Sequence, residues 1–162
     1  MIRSASFSEC MKYRYELTRI WDHDKPLVMC IGLNPSKANG VKDDSTINIL
    51  INALQWLGYG GFKMMNLYAL ITPHPDELFS VPDALGDNDK WITDTAAICK
   101  DIIFCWGAFK NIEYRAKKMI KAFPNALCFG HTAKGSPWHP RALHYAGILS
   151  HQTSTIPFKK KK

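Results

Sequence analysis

Four apolar runs of this chain end in residues able to bind or polarise a ligand. VMCIGL ends in Asn34-Pro35, FKMM in Asn66, DIIFC in Trp106-Gly107 and ALCF in Gly130-His131. Each carboxamide presents a donor and an acceptor side by side, so it can read a polar edge without carrying charge. Asp43 and Asp44 follow the first of these ends closely enough to reach the same place. Asp44 reads first as a helix cap, and second as a general base or metal ligand. A late polar loop, GHTAKGSPWHP, adds His131, Trp138 and His139. Other chemistries lack their signatures. His144 and His151 follow His131 and His139, but no HxxxH or HExxH spacing occurs, so no metal is expected. Neither a Walker loop nor a GxGxxG follows a strand, so no nucleotide cofactor is expected either.

These residues need a scaffold, and hydrophobic periodicity outlines one. In KYRYELTRI (12–20), Tyr13, Tyr15 and Leu17 alternate with Arg14, Glu16 and Thr18, the period of a half-buried strand. DHDKP (22–26) supplies a turn, and LVMCIGL (27–33), apolar on both faces, reads as a central strand joined to the first by a hairpin. Asp44 or Ser45 caps a helix to about Leu57, stopped by Gly58, with Ile47, Leu50, Ile51, Leu54 and Leu57 on one face. A second apolar strand covers 62–67. Residues 70–87, with Pro73, Pro75 and Pro82, form an irregular excursion holding a turn of helix at 76–79. A helix over 88–99 is capped near Asp87, with Asn88 and Asp89 beside it. Then come a strand at 101–106, a helix at 108–122, a strand at 126–129 and a short helix at 141–149.

Strands alternating with helices predict an α/β fold: a three-layer α/β/α sandwich with a mainly parallel central sheet and an antiparallel N-terminal edge. In such sheets ligands bind outside the carboxyl ends of the strands, where loops converge and helix N-termini point inward. All four punctuated strand ends lie on that edge, which marks it as the site.

Composition sets the limits. The 162 residues suit one domain, 1–158, able to bury roughly two thirds of its unfolded surface, followed by a lysine tail at 159–162. The formal charge is +7, but the tail carries four of those charges and leaves +3, which permits nucleic acid without demanding it. The five cysteines form no CxxC pair and read as reduced core residues of a cytoplasmic protein. No apolar run approaches the ~18–20 residues of a membrane span, so no membrane is expected as a partner, and nothing calls for an obligate protein partner.

GLNPS (32–36), KDDST (42–46), MNLYA (65–69), GDNDK (86–90), WG (106–107) and GHTAKGSPWHP (130–140) resemble, in order, the motif series of a bacterial and phage group, domain-of-unknown-function family 1643. Ser45 departs from it, standing where that family is expected to carry proline. The same order is distantly similar to the uracil-DNA glycosylase superfamily: a Gly-x-Asp/Asn-Pro loop, an asparagine ending the second strand, an apolar strand closing in WG, and a late His-Pro. That similarity implies a glycosylase-like fold. The partner it implies is a nucleobase, a nucleotide or a flipped base in DNA, with slow hydrolysis of an N-glycosidic bond as the activity. By this resemblance Asn34, beside Pro35 and Ser36, would position the attacking water, and its being asparagine rather than aspartate implies weak hydrolysis or none. Asn66 would read the base, and His139 would face a base oxygen or a phosphate. Arg141 stands where those enzymes have serine and could itself contact phosphate. Tyr68, Trp106 and Trp138 are candidates to stack on a base, with core packing the plainer role for Trp106. Two other readings stand beside this one: a recognition module that binds without cleaving, and a small-molecule hydrolase using Asp44 and His139 as an acid/base pair.

Overall fold

The computed structural model describes residues 1–159, so most of the lysine tail lies outside the described residues. It is an α/β fold built on a seven-stranded mixed sheet: β1 (Ile2–Phe7), β2 (Arg14–Ile20), β3 (Leu27–Gly32), β4 (Gly61–Asn66), β5 (Asp101–Phe104), β6 (Leu127–Cys128) and β7 (Ile156–Pro157). The order across the sheet is β1-β2-β4-β3-β5-β6-β7. β3 pairs in parallel with β4 on one edge and β5 on the other, and β5 with β6. That central position explains why β3 is apolar on both faces. The remaining pairings, β1 with β2, β2 with β4 and β6 with β7, are antiparallel. The sheet is therefore evenly mixed rather than mainly parallel.

Alternate residues of β3 feed two cores. Val28 and Cys30 join Phe62, Met64 and Ile103 under α1 (Ser45–Trp56), whose Ile47, Leu50, Ile51 and Leu54 form one buried stripe. Leu143 of α4 (Arg141–Tyr145) packs into the same cluster. Met29 and Ile31 join Met65 and Phe104 on the other side, with Ile92 from α2 (Asn88–Ala96) and Met119 from α3 (Glu113–Ala122). Each fully buried aliphatic side chain contributes about 1.5–3 kcal/mol of transfer free energy. Asp44 starts α1 by accepting the Ile47 N–H at 2.9 Å, and Gly58, at φ +88°, ends it in a conformation only glycine adopts cheaply.

The expected hairpin between β2 and β3 is absent, because β4 lies between them. The backbone N–H groups of Trp21 and Asp22 both donate to Gly60 O, which draws the start of β4 against the end of β2. Nor is β2 half-exposed: Arg14, Thr18 and Arg19 are all buried. Its pairing with β1 steps from Ser6–Glu16 to Phe7–Arg14, so Tyr15 is the extra residue of a β-bulge. The bulge breaks the alternation. Tyr15 stacks on Trp91 of α2 and Glu16 accepts from Thr95, while Arg14 turns to the opposite face and donates to Ala38 O.

Other elements differ at their ends. α3 starts at Glu113 rather than 108, since Gly107 and Asn111 both take positive φ in the loop before it. α4 is a short piece that Gly147, again at positive φ, separates from a 3₁₀ turn at Ser150–Gln152. Asp87 holds the N-cap position of α2, as expected, but none of Asp87, Asn88 and Asp89 gives the helix a side-chain cap bond. Asp87 makes no side-chain cap bond, Asn88 donates to Asn66 O, and Asp89 pairs with Arg115 and Lys118. Edge strands β1 and β7 carry no local sequence signal, β1 because IRSASF is polar and half-exposed and β7 because it has two residues. Cys30, Cys105 and Cys128 are buried, Cys99 is partly so, and Cys10 is exposed rather than in the core. Among the described residues no helix is long and apolar enough to cross a membrane.

Candidate functional site

A cavity of about 400 Å³ opens where β3, β4 and β5 end. Asn34 and Ser36 line it from the loop after β3, Asn66 from the last position of β4, and Trp106 from beyond β5. Asp44 enters from the start of α1, and His139 and Arg141 from the late loop and the start of α4. The sheet register makes this convergence: Gly32 pairs with Asn66, so the residues leaving β3 and β4 emerge side by side. Gly32 leaves room for the side-chain ends beside it. A Cβ there would meet Met64 Cε at 2.5 Å and Asn66 Oδ1 at 2.9 Å, closing the floor.

Asn34 is oriented by the chain itself. Its Nδ2 donates to Thr72 O at 2.8 Å, Pro35 O at 3.0 Å and Leu70 O at 3.4 Å. Three carbonyl partners fix which atom of the amide is nitrogen, so Oδ1 is left as an acceptor with no partner among the described residues. Asn66 is its converse. The side chain is buried, 2% exposed, yet Nδ2 has no hydrogen-bond partner among the described residues. A buried unpaired N–H costs about 1–3 kcal/mol, and this one belongs to a residue that lines the cavity. Around Asn66 the backbone is held tightly: Asn88 Nδ2 donates to Asn66 O at 2.7 Å, and Arg115 Nε to Leu67 O at 2.9 Å.

His139 accepts the Arg141 backbone N–H at Nδ1, 3.1 Å away. Burial, with the Arg141 charge adding to it and Asp44 opposing, holds its pKa below the ordinary 6.5. The imidazole is thus neutral at pH 7 with its proton on Nε2, which makes it a donor to a ligand and not a base. Gly107, at φ +74°, lets the chain pass close beneath it, since a Cβ there would sit 3.2 Å from His139 Cβ. Asp44 lines the same cavity while Oδ1 stays on Ile47 N, so both of its readings, cap and cavity residue, coexist. Arg141 reaches Ser45 Oγ with Nη2 at 2.8 Å.

Four candidates fall outside the cavity lining. Pro35 is buried behind Asn34, where its carbonyl receives Asn34 Nδ2 and Thr72 N. Tyr68 packs edge-on to Phe79 in the α2/α3 core. His131 stacks on Phe158, with ring centroids 5.2 Å apart. Trp138 covers Gly130, where any Cβ would strike its ring at 2.7 Å, so this aromatic is explained by packing after all. Trp106 does both jobs, 3% exposed against Phe104 while lining the cavity.

Sequence reading missed Arg14, Thr72 and Phe109. Strict alternation puts Arg14 on the solvent face, and nothing in YRYEL announces the bulge that reverses it. Burial lowers the Arg14 pKa to about 10, with Asp44 opposing and Arg19 reinforcing, so the side chain stays cationic at neutral pH.

Neither a curated protein nor a solved structure matches the chain. One family does, over residues 14–141. That span begins at Arg14 and ends at Arg141, the first and last residues to line the cavity, and leaves out β1 and β7. On this match the chain belongs to the family described as Protein of unknown function (DUF1643).

Proposed function

We propose that residues 1–158 form a uracil-DNA-glycosylase-like domain, a three-layer α/β/α sandwich, whose cavity binds a nucleobase carried by a nucleotide or by a flipped position in DNA. The observation that carries this reading is the Asn66 carboxamide, buried on the cavity floor with its donor unspent. A base edge offers the acceptor and donor that a carboxamide complements. His139 Nε2–H supplies a second donor at the wall, and Trp106 supplies aromatic surface. The volume falls within the ~300–1,000 Å³ of small-molecule sites.

Asn34 Oδ1 is an acceptor able to hold a water, but it carries no charge to stabilise an oxocarbenium-like sugar. Binding is therefore the main activity, and any N-glycosidic hydrolysis is slow. A recognition module without turnover is the second reading, favoured by the two bonds, to Leu70 O and Thr72 O, that tie Asn34 into the 70–72 segment. An Asp44/His139 acid/base pair has less support. Asp44 Oδ1 and His139 Nδ1 both already accept backbone N–H groups.

Titration calorimetry with free bases, nucleosides, nucleotides and short single-stranded oligonucleotides tests the reading. Binding of at least one of them, lost in Asn66→Ala, is the expected result. A folded chain that binds none of them would overturn it.

A further inference from the structure

Three buried arginines sit near the sheet, and their partners differ. Arg19 donates to Asp43 Oδ1 and to the carbonyls of Ser4, Thr18 and Asn39. Arg115 donates to Leu67 O and to Asp89 Oδ1. Among the described residues Arg14, 4% exposed, has a single side-chain bond, Nη1 to Ala38 O at 2.7 Å, and its Nε is buried without a partner. Among the described residues it has no ion pair. A guanidinium in this state is costly, because the charge is desolvated and its fork is largely unmatched.

The bulge at Tyr15 turns Arg14 to the side of the sheet where it lines the cavity. Arg141 adds a second cation, and among the described residues Asp44 is the only carboxylate in the lining. With His139 neutral, the lining carries an excess of one positive charge. The first turn of α1, at Thr46 and Ile47, also faces the cavity and adds the positive end of a twelve-residue helix.

We infer that Arg14 forms an anion subsite for the terminal phosphate of a mononucleotide, with Arg141 closing over it from the rim. The inference rests on the base-binding reading of the same cavity and narrows it to one ligand class. A phosphate monoester offers the oxygens that the Arg14 fork lacks. A terminal group also suits a buried cation, since it enters the cavity once, whereas a phosphodiester must leave again on its other side.

The test is titration calorimetry of the full chain with inorganic phosphate, the common nucleosides, their 5′-monophosphates, and an oligonucleotide lacking terminal phosphate. The expected result is a 5′-monophosphate binding about tenfold or more tighter than its nucleoside, with a preference that shrinks as salt rises. Arg14→Met retains the stem volume and removes the charge, and should abolish that preference. Arg14→Lys, which keeps the charge without the fork, should restore part of it. Equal affinity for nucleoside and monophosphate in the unaltered chain would overturn the phosphate subsite and leave base binding standing. Arg14-dependent binding of phosphate with no nucleoside binding would do the reverse. An oligonucleotide that binds more tightly than every mononucleotide would overturn the assignment to a terminal phosphate, as would a preference that persists in Arg14→Met.

Discussion

Arg141 gives its backbone N–H to Nδ1 of His139 at 3.1 Å, so the first residue of α4 decides which nitrogen of the histidine holds the proton. Together with burial and the Arg141 charge, this makes His139 a neutral donor at pH 7.

Because the folded state lowers the His139 pKa below 6.5, the unfolded chain binds its proton first as pH falls. Stability is thus full above the unfolded value and declines below it. Denaturant titrations at pH 7.5 and pH 5.5 should show this loss, and His139→Gln should reduce it. An NMR titration placing the His139 midpoint above 6.5 would contradict the assignment.

Asn66→Ala removes a buried N–H that has no partner, so the chain should keep its stability to within about 1 kcal/mol. Ligand binding should disappear in the same variant. Urea denaturation and calorimetry together check the pair of outcomes; a loss above about 3 kcal/mol would mean that Asn66 is holding the fold together.

Asn34→Asp replaces a donor facing the carbonyls of Pro35, Leu70 and Thr72 with an acceptor. The expected cost is about 1–3 kcal/mol at neutral pH. Facing oxygens raise the carboxyl pKa in the folded state, so the folded protein holds the proton longer than the unfolded chain. Stability of this variant should fall as pH rises through the carboxylate range, the opposite of the His139 effect, and thermal melts from pH 4 to pH 8 would read it.

Neighbouring aspartates should respond differently to removal. Asp43 bonds Arg19, which is fully buried, and also Arg3. Burial pushes its carboxyl up, but the two arginines outweigh this and hold it below 3.8, so its contribution fades only in strong acid. Asp43→Ala strands a buried cation and should cost about 3–5 kcal/mol. Asp44→Ala loses one cap bond and should cost about 1 kcal/mol. Equal losses in chemical denaturation would show that Arg19 finds other partners.

Local pattern accounts for much of the fold. The apolar run 27–33 requires a strand covered on both faces, the Ile47–Leu54 spacing requires an amphipathic helix, and Asn34-Pro35 stops the ladder because proline cannot donate to it. From these alone the carboxyl edge follows as the place for a site. Asn34, Ser36, Asp44, Asn66, Trp106, His139 and Arg141 do converge there. Pro35, Tyr68, His131 and Trp138 do not, because the type of a residue near a strand end says nothing about the direction of its side chain.

The sequence by itself determined the central strands β3 and β4, the apolar stripe of α1 and the places where those strands end, since these depend on neighbours a few positions apart. Which strands pair was decided only in three dimensions, where Gly60 draws β4 between β2 and β3. So was the face of Arg14, which one bulged residue moves from solvent to the cavity. Both are settled by backbone pairing between segments, Trp21 and Asp22 with Gly60 and β1 with β2, that no local period encodes.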